Sequence, residues 1–176
     1  MRFFLTASLA IVLMTLIPFD AHADRPTQIA FVDTGNTGRS VTVTALAEAM
    51  IRKDKLPIAV IGRAVDMNPF FVAPEANAAA LLLKQGIDVS GHRAEQLTVN
   101  DVRHADLIIT MTAKHRDAIV ALYPDAQAKT HTIADYATGH AEDVVDAYGK
   151  PMEVYEEVFA QINGYLPVVL EKSRRK

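Results

Sequence analysis

Residues 31–41, FVDTGNTGRSV, set a carboxylate, two glycines, an arginine and a serine between an apolar run and a second, more mixed segment. Gly35 and Gly38 let successive backbone N–H groups turn inward into an anion-binding nest, and a helix beginning there adds the positive end of its dipole. Arg39 can fork onto two phosphate oxygens, which a lysine ammonium cannot do in the same way. Thr34, Gly35, Asn36, Thr37, Gly38, Arg39 and Ser40 are therefore candidates for holding a phosphoryl group. The segment is not a Walker loop, because Gly-Lys-Ser/Thr is missing, and not a dinucleotide fingerprint, because Gly-x-Gly-x-x-Gly is absent. The plainer alternative is a strand-to-helix turn capped by Ser or Thr.

Asp33 is the anomaly, an anion at the mouth of an anion site. Inward N–H groups, a helix N-terminus and Arg39 all favour its ionised form. It could attack phosphorus as an oxygen nucleophile and form an acyl phosphate. It could equally fill the nest itself and repel a phosphate dianion. Aspartyl nucleophiles usually work beside a metal ion that offsets this repulsion, and here the nearby cation is Arg39.

The other titratable residues suggest less. His92, His104, His115, His131 and His140 form no close His-x-His or His-Glu-x-x-His pair, so no metal and no cofactor is assigned. HTIADYATGHAEDVVDAYG gathers two histidines with Asp135, Glu142, Asp143 and Asp146, and reads as a solvated acidic loop rather than a cation site. The chain has no cysteine, which excludes a disulfide framework and thiol chemistry.

The elements that must position these residues follow from hydrophobic patterning. TQIAFVD (27–33), LPIAVIGRAV (56–65), ADLIITM (105–111) and AKTHTI (128–133) read as strands, mostly continuous apolar runs of the kind buried on both faces. Helices are expected at 40–55, where Val41 and Val43 make a poor first turn by propensity, at 74–86 with Pro74 near the start and Gly86 as the stop, and in TAKHRDAIVALYP. A long polar segment, 134–150, leads to a C-terminal helix in PMEVYEEVFAQINGYLPVVLEK, where Gly164 and Pro167 are the places for a kink or interruption. Strands alternating with helices predict one α/β domain, a parallel sheet covered on both faces. Ligands of such sheets sit beyond the strand carboxyl ends, where Asp33 and the 134–150 segment can meet.

At the N-terminus, Arg2 precedes the apolar run FFLTASLAIVLMTLIPF, which closes on Ala21-His22-Ala23, a small-x-small cleavage pattern. Residues 1–23 read as a signal peptide, with an uncleaved membrane anchor as the alternative. The expected mature chain, 24–176, is periplasmic or secreted and has no membrane span. Loss of Arg2 and Asp20 leaves the net charge at −3, which gives no electrostatic case for a nucleic-acid partner.

DTGNTGRS, GIDVSGHRAEQLT (86–98), ADLIITMTAKH (105–115) and DVVDAYGKPMEVYEEVFAQI (143–162) together resemble the low-molecular-weight protein tyrosine phosphatases, in order and over nearly the whole mature chain. The resemblance implies a four-stranded sheet with the phosphate loop after the first strand. It implies that Asp33 stands at the position of the nucleophilic Cys, that Arg39 clamps the phosphoryl oxygens, that Asp146 is the general acid and that Tyr148 lies beside the substrate. The implied ligand is a phosphorylated protein or a small phosphate ester.

The sequence departs from that family at several points. Cys is replaced by Asp33 and the frequent second loop Cys by Gly38. The Pro after the Arg-Ser pair is Val41, and the Pro after the general acid is Ala147. The Asp common after the third strand's Met is Thr112, and the Ser-Ala-Gly segment usual after the second strand is not visible in VIGRAVDM. The thiol-dependent arsenate reductases of the same fold are excluded. Two readings remain: a pseudophosphatase with weak or absent hydrolysis, and a phosphomonoesterase using Asp33 as nucleophile and Asp146 as acid.

Overall fold

The computed structural model describes residues 25–174; the signal peptide expected at 1–23 and its expected cleavage point lie outside the described residues. Four strands, β1 (Thr27–Asp33), β2 (Ile58–Ala64), β3 (Leu107–Thr110) and β4 (Thr130–Thr132), form a parallel sheet in the order β2-β1-β3-β4. β1 lies inside the sheet, and its last five residues are buried. Register sets Asp33 against Ala64 and Val32 against Thr110, so the strands end together at one edge.

Alternation along β1 and β3 divides the core. Ile29, Phe31, Leu107 and Ile109 face a cluster built with α1 (Arg39–Asp54), α2 (Ala76–Lys84), α5 (Ile133–Thr138) and α6 (Met152–Ser173). Ala30, Val32 and Ile108 face a smaller cluster with α3 (Val99–His104) and α4 (Ala113–Leu122). Each strand is therefore apolar on both sides, which is why its sequence is a continuous apolar run. The expected α/β fold with its four-stranded parallel sheet is the one observed.

Several local expectations are corrected. α6 is not interrupted at Gly164 or Pro167. Both lie on its exposed side, while Tyr155, Val158, Ile162, Leu166, Val169 and Leu170 form the buried stripe. Packing of that stripe outweighs the one hydrogen bond that a proline cannot donate. The segment 134–150 is not wholly irregular: α5 occupies its start, capped by Thr132 and ended by Gly139 at φ 79°. α3, unassigned from sequence, is nucleated by a capping box in which Thr98 and Asp101 each accept from the other's backbone N–H. Val41 and Val43 are fully in the core, so burial overrides the weak propensity of the first turn of α1.

Candidate active site

β1 ends at Asp33 and α1 begins at Arg39, leaving five residues to make the loop. The Asp33 side chain turns back into it. Its Oδ1 accepts from the Asn36 N–H at 2.6 Å and its Oδ2 from the Ser40 N–H at 2.8 Å. The residue is 3% exposed. The carboxylate therefore caps the start of α1, placing a negative charge where the helix presents its unpaired N–H groups.

Asn36 has a left-handed backbone, φ 56°, and a fully buried side chain. Its Nδ2 donates to Ser40 Oγ at 2.9 Å, its Oδ1 accepts from the Glu95 N–H at 3.1 Å, and its carbonyl lies 2.9 Å from His92 Nε2. Gly62 of β2 makes the room: a Cβ there would stand 2.9 Å from Asn36 Nδ2 and from Thr44 Oγ1. Asn36 is thus held by His92 and the Glu95 N–H, in space that Gly62 leaves open. His92 is a structural residue of the loop.

Two further residues complete the surround: His115, weighed from sequence only as a metal ligand, and Glu75, which the sequence reading did not single out. His115 is 5% exposed, with Nε2 2.9 Å from Thr34 Oγ1. Burial, then the nearby Arg39, holds its imidazole below the ordinary histidine value despite Asp33, Asp146 and Asp143. Thr112, in place of an Asp, caps α4 by accepting from the His115 backbone N–H. Glu75 lies against Gly38, accepts from Thr37 Oγ1 at 3.1 Å and from the Tyr155 hydroxyl at 2.6 Å, and donates its own N–H to the Thr37 carbonyl. Burial pushes its carboxyl up, Asp33 and Asp146 add to the shift, and the two hydroxyl donors oppose it. Burial and Glu75 together raise the Tyr155 hydroxyl. Glu75 was hidden in sequence because it ends a loop and carries no motif of its own.

Arg39 is buried, 8% exposed, and its guanidinium bonds outside its own loop. Its Nη1 donates to the Val144 carbonyl at 3.0 Å and its Nη2 pairs with Asp146 Oδ2 at 3.1 Å. The fold thus brings Asp33, Arg39 and Asp146 to one cavity, a meeting that the strand-end architecture allowed. Tyr148 follows, with its N–H on Asp146 Oδ1 and its ring exposed. Val144 is held by Met111 and Asp143 by Ala113, which fasten this loop to the end of β3 and the start of α4. The remaining acidic residues there have separate partners: Glu142 accepts from Gln161 and Tyr165. Among the described residues no group of acids, histidines or cysteines is arranged to hold a metal.

Asp33, Arg39, Glu75, Asp146 and Tyr148 line a cavity of about 310 Å³. Its wall includes Thr34, Gly35, Thr37 and Gly38 on the floor, Phe71, Tyr148, Tyr155 and Phe159 on the sides, and four carboxylates, Asp33, Asp66, Glu75 and Asp146, against the single guanidinium of Arg39. A floor of backbone N–H groups with an arginine and a carboxylic acid opposite can bind a tetrahedral anion and protonate its leaving group. Asp33 already accepts from two N–H groups at this end of the loop, those of Asn36 and Ser40.

The profile of low molecular weight phosphotyrosine protein phosphatases matches residues 28–176, and the chain belongs to that family. It is 32% identical over 150 residues to the protein-arginine-phosphatase of Geobacillus stearothermophilus, covering 84% of this chain and 96% of that one. The crystal structure of a low molecular weight protein tyrosine phosphatase from T. tengcongensis is 33% identical, with a TM-score of 0.78 over 83% of this chain and 99% of that one. A Cys-to-Ser mutant of the YwlE arginine phosphatase, with a phosphorylated active site serine, is 27% identical, with a TM-score of 0.79 over 83% of this chain and 95% of that one. The chain therefore carries a tyrosine-phosphatase-like phosphate-loop fold with no cysteine, consistent with weak or absent hydrolysis.

Proposed function

We propose that this protein is an exported pseudophosphatase, a member of the family whose phosphate loop is occupied by its own carboxylate. The carrying observation is the pair of bonds from the Asn36 and Ser40 N–H groups to Asp33. A phosphate dianion entering the loop has to compete with a tethered anion for the same donors. Arg39, the cation that would offset the repulsion, is already paired with Asp146. Family membership supports a phosphorylated protein or a small phosphate ester as the ligand class, and Asp33 weakens its capture. Arg39 is the clamp, Thr34 to Ser40 the cradle, Asp146 the acid position and Tyr148 the substrate-side ring.

Calorimetry with inorganic phosphate tests this reading. Asp33→Asn, and separately Asp33→Ser, are expected to tighten phosphate binding near neutral pH. Unchanged or weaker binding in both variants overturns it.

A second reading has one observation in its favour. The phosphorylated serine in the YwlE mutant shows that, in that relative, an oxygen at the active site can carry the phosphoryl group. Asp33 Oδ would then attack phosphorus, and the ester oxygen would leave with a proton from Asp146. Water would cleave the resulting acyl phosphate. An acyl phosphate trapped on Asp33, with turnover abolished in Asp33→Asn, establishes this alternative. Export is tested separately by mass spectrometry of the native protein, which is expected to begin at Asp24; an intact N-terminus in the cytosolic fraction refutes it.

A further inference from the structure

With Asp33 in the loop, the cavity is lined by more carboxylates than cations. Asp33, Asp66, Glu75 and Asp146 line it, and Arg39 is their only cationic counterpart. Arg39 reaches Asp146, while Glu75 has only the hydroxyls of Thr37 and Tyr155 among its side-chain partners. The three acids Asp33, Glu75 and Asp146 are close enough for each of the other two to push the Glu75 carboxyl up. Like charges crowded in one concave wall focus a field that attracts cations and repels anions.

The mouth of the cavity has a second property. Phe71 and Tyr148 line it and are 62% and 63% exposed, and Phe70 and Val145, which adjoin Phe71 and Asp146 in the chain, are 88% and 59% exposed. Large apolar side chains left in water beside a charged recess mark a surface made for another macromolecule rather than for a free ion. An arginine side chain fits this combination better than lysine. Its planar guanidinium stacks on aromatic faces, forks onto carboxylates and is less strongly hydrated than an ammonium.

We propose that this face is a docking surface for a protein that inserts an unphosphorylated arginine side chain into the cavity. The guanidinium sits among the four carboxylates, and the flanking residues of the partner pack on Phe70, Phe71, Val145 and Tyr148. Asp33 provides, as part of the chain, the negative charge that a phosphoryl group would bring, so the occupant is a cation. The proposal rests on the pseudophosphatase reading of the same loop.

The test is titration of the full chain with the blocked tripeptide Ala-Arg-Ala, its neutral citrulline counterpart and its lysine counterpart, with inorganic phosphate in a parallel arm. The arginine peptide is expected to bind at least about tenfold tighter than the citrulline one, a difference of about 1.4 kcal/mol, and tighter than the lysine one. Its affinity is expected to fall as salt is raised. Asp33→Asn and Glu75→Gln should each weaken it severalfold, and Tyr148→Ala should weaken it without altering the salt dependence. Equal binding of arginine and citrulline peptides, absence of arginine binding at millimolar concentration, or lysine binding as tight as arginine each overturns the proposal. If Asp33→Asn tightens phosphate while the arginine peptide fails to bind, the pseudophosphatase reading stands and the docking proposal falls. If Asp33→Asn leaves phosphate unchanged, the reading of the loop itself has failed.

Discussion

The loop after β1 and the loop that carries Asp146 meet at the same cavity, yet they are built in opposite ways. In the first, Asp33, Asn36 and Ser40 are 3% exposed or less, and each is bound to at least one of the others. In the second, Asp146 and Tyr148 are mostly exposed, and the main ties to the rest of the fold run through Val144 and Asp143. The cradle satisfies its buried donors internally, whereas the rim leaves its functional groups facing solvent. A buried N–H without an acceptor is costly, so a carboxylate at position 33 is structurally welcome where it is chemically obstructive. Asp146 can therefore keep its place on the rim, paired with Arg39, while the cradle is closed by one residue.

The largest effect should come from reopening the cradle. Asp33→Cys, assayed under reducing conditions, is expected to raise aryl-phosphate hydrolysis by about 10²-fold or more, because a thiolate is intrinsically the better nucleophile. In that background Asp146→Asn should lower initial rates by roughly 10²–10⁴-fold for esters with poor leaving groups, the range typical of general acids. Esters whose leaving group needs no proton should lose much less. An equal loss on both would mean that the rim does not supply the proton, and the contrast would have to be redrawn.

Arg39 joins the two regions, since it belongs to α1 but bonds to Val144 and Asp146. Arg39→Ala, added to Asp33→Asn, should weaken phosphate binding by about tenfold to a hundredfold, the scale of 1.5–3 kcal/mol for hydrogen bonds to a charged group. Calorimetry reads this directly.

Stability should separate the regions next. Asn36→Ala leaves the Glu95 N–H and Ser40 Oγ without their buried partner and keeps a left-handed backbone, for a cost of about 2–4 kcal/mol. Gly149→Ala in the rim meets open space, and only its φ of 70° opposes it, for about 1–2 kcal/mol. Denaturant unfolding of the two variants should rank them in that order; the reverse order would break the comparison.

The smallest effect is in pH dependence, and its two parts have opposite signs. The Glu75 carboxyl is raised above 4.5, so its contribution is fully present below that value and is lost as pH rises through the folded value. Glu75→Gln should therefore gain stability relative to the parent as pH increases from about 4. The His115 imidazole is lowered below 6.5, so its contribution is present above that value and is lost as pH falls through the folded value. His115→Gln should gain relative to the parent on acidification. Thermal melts across this range check both signs.

The phosphate loop, its Arg39 and the parallel sheet were legible from local pattern, glycine spacing and continuous apolar runs, whereas the late Asp146 was singled out only through the family resemblance carried by its Asp-x-Tyr-Gly segment. α6 was legible as a helix but not as an unbroken one, since what carries it past Gly164 and Pro167 is the stripe from Tyr155 to Leu170 packed on the sheet. Glu75, His115 and Gly62 were not legible as site residues. Each reaches the loop from another element, and none sits in a pattern that chain-local reading can detect.

The sequence alone therefore determined that a carboxylate occupies a phosphate loop, because chemical type and spacing are properties of the chain. Only the tertiary structure decided which groups that carboxylate touches, that Arg39 turns to the rim, and that four acids share one cavity with it. Those are relations across the sheet edge, and distance in space, with the burial that sets the strength of charge, is fixed by packing rather than by order along the chain.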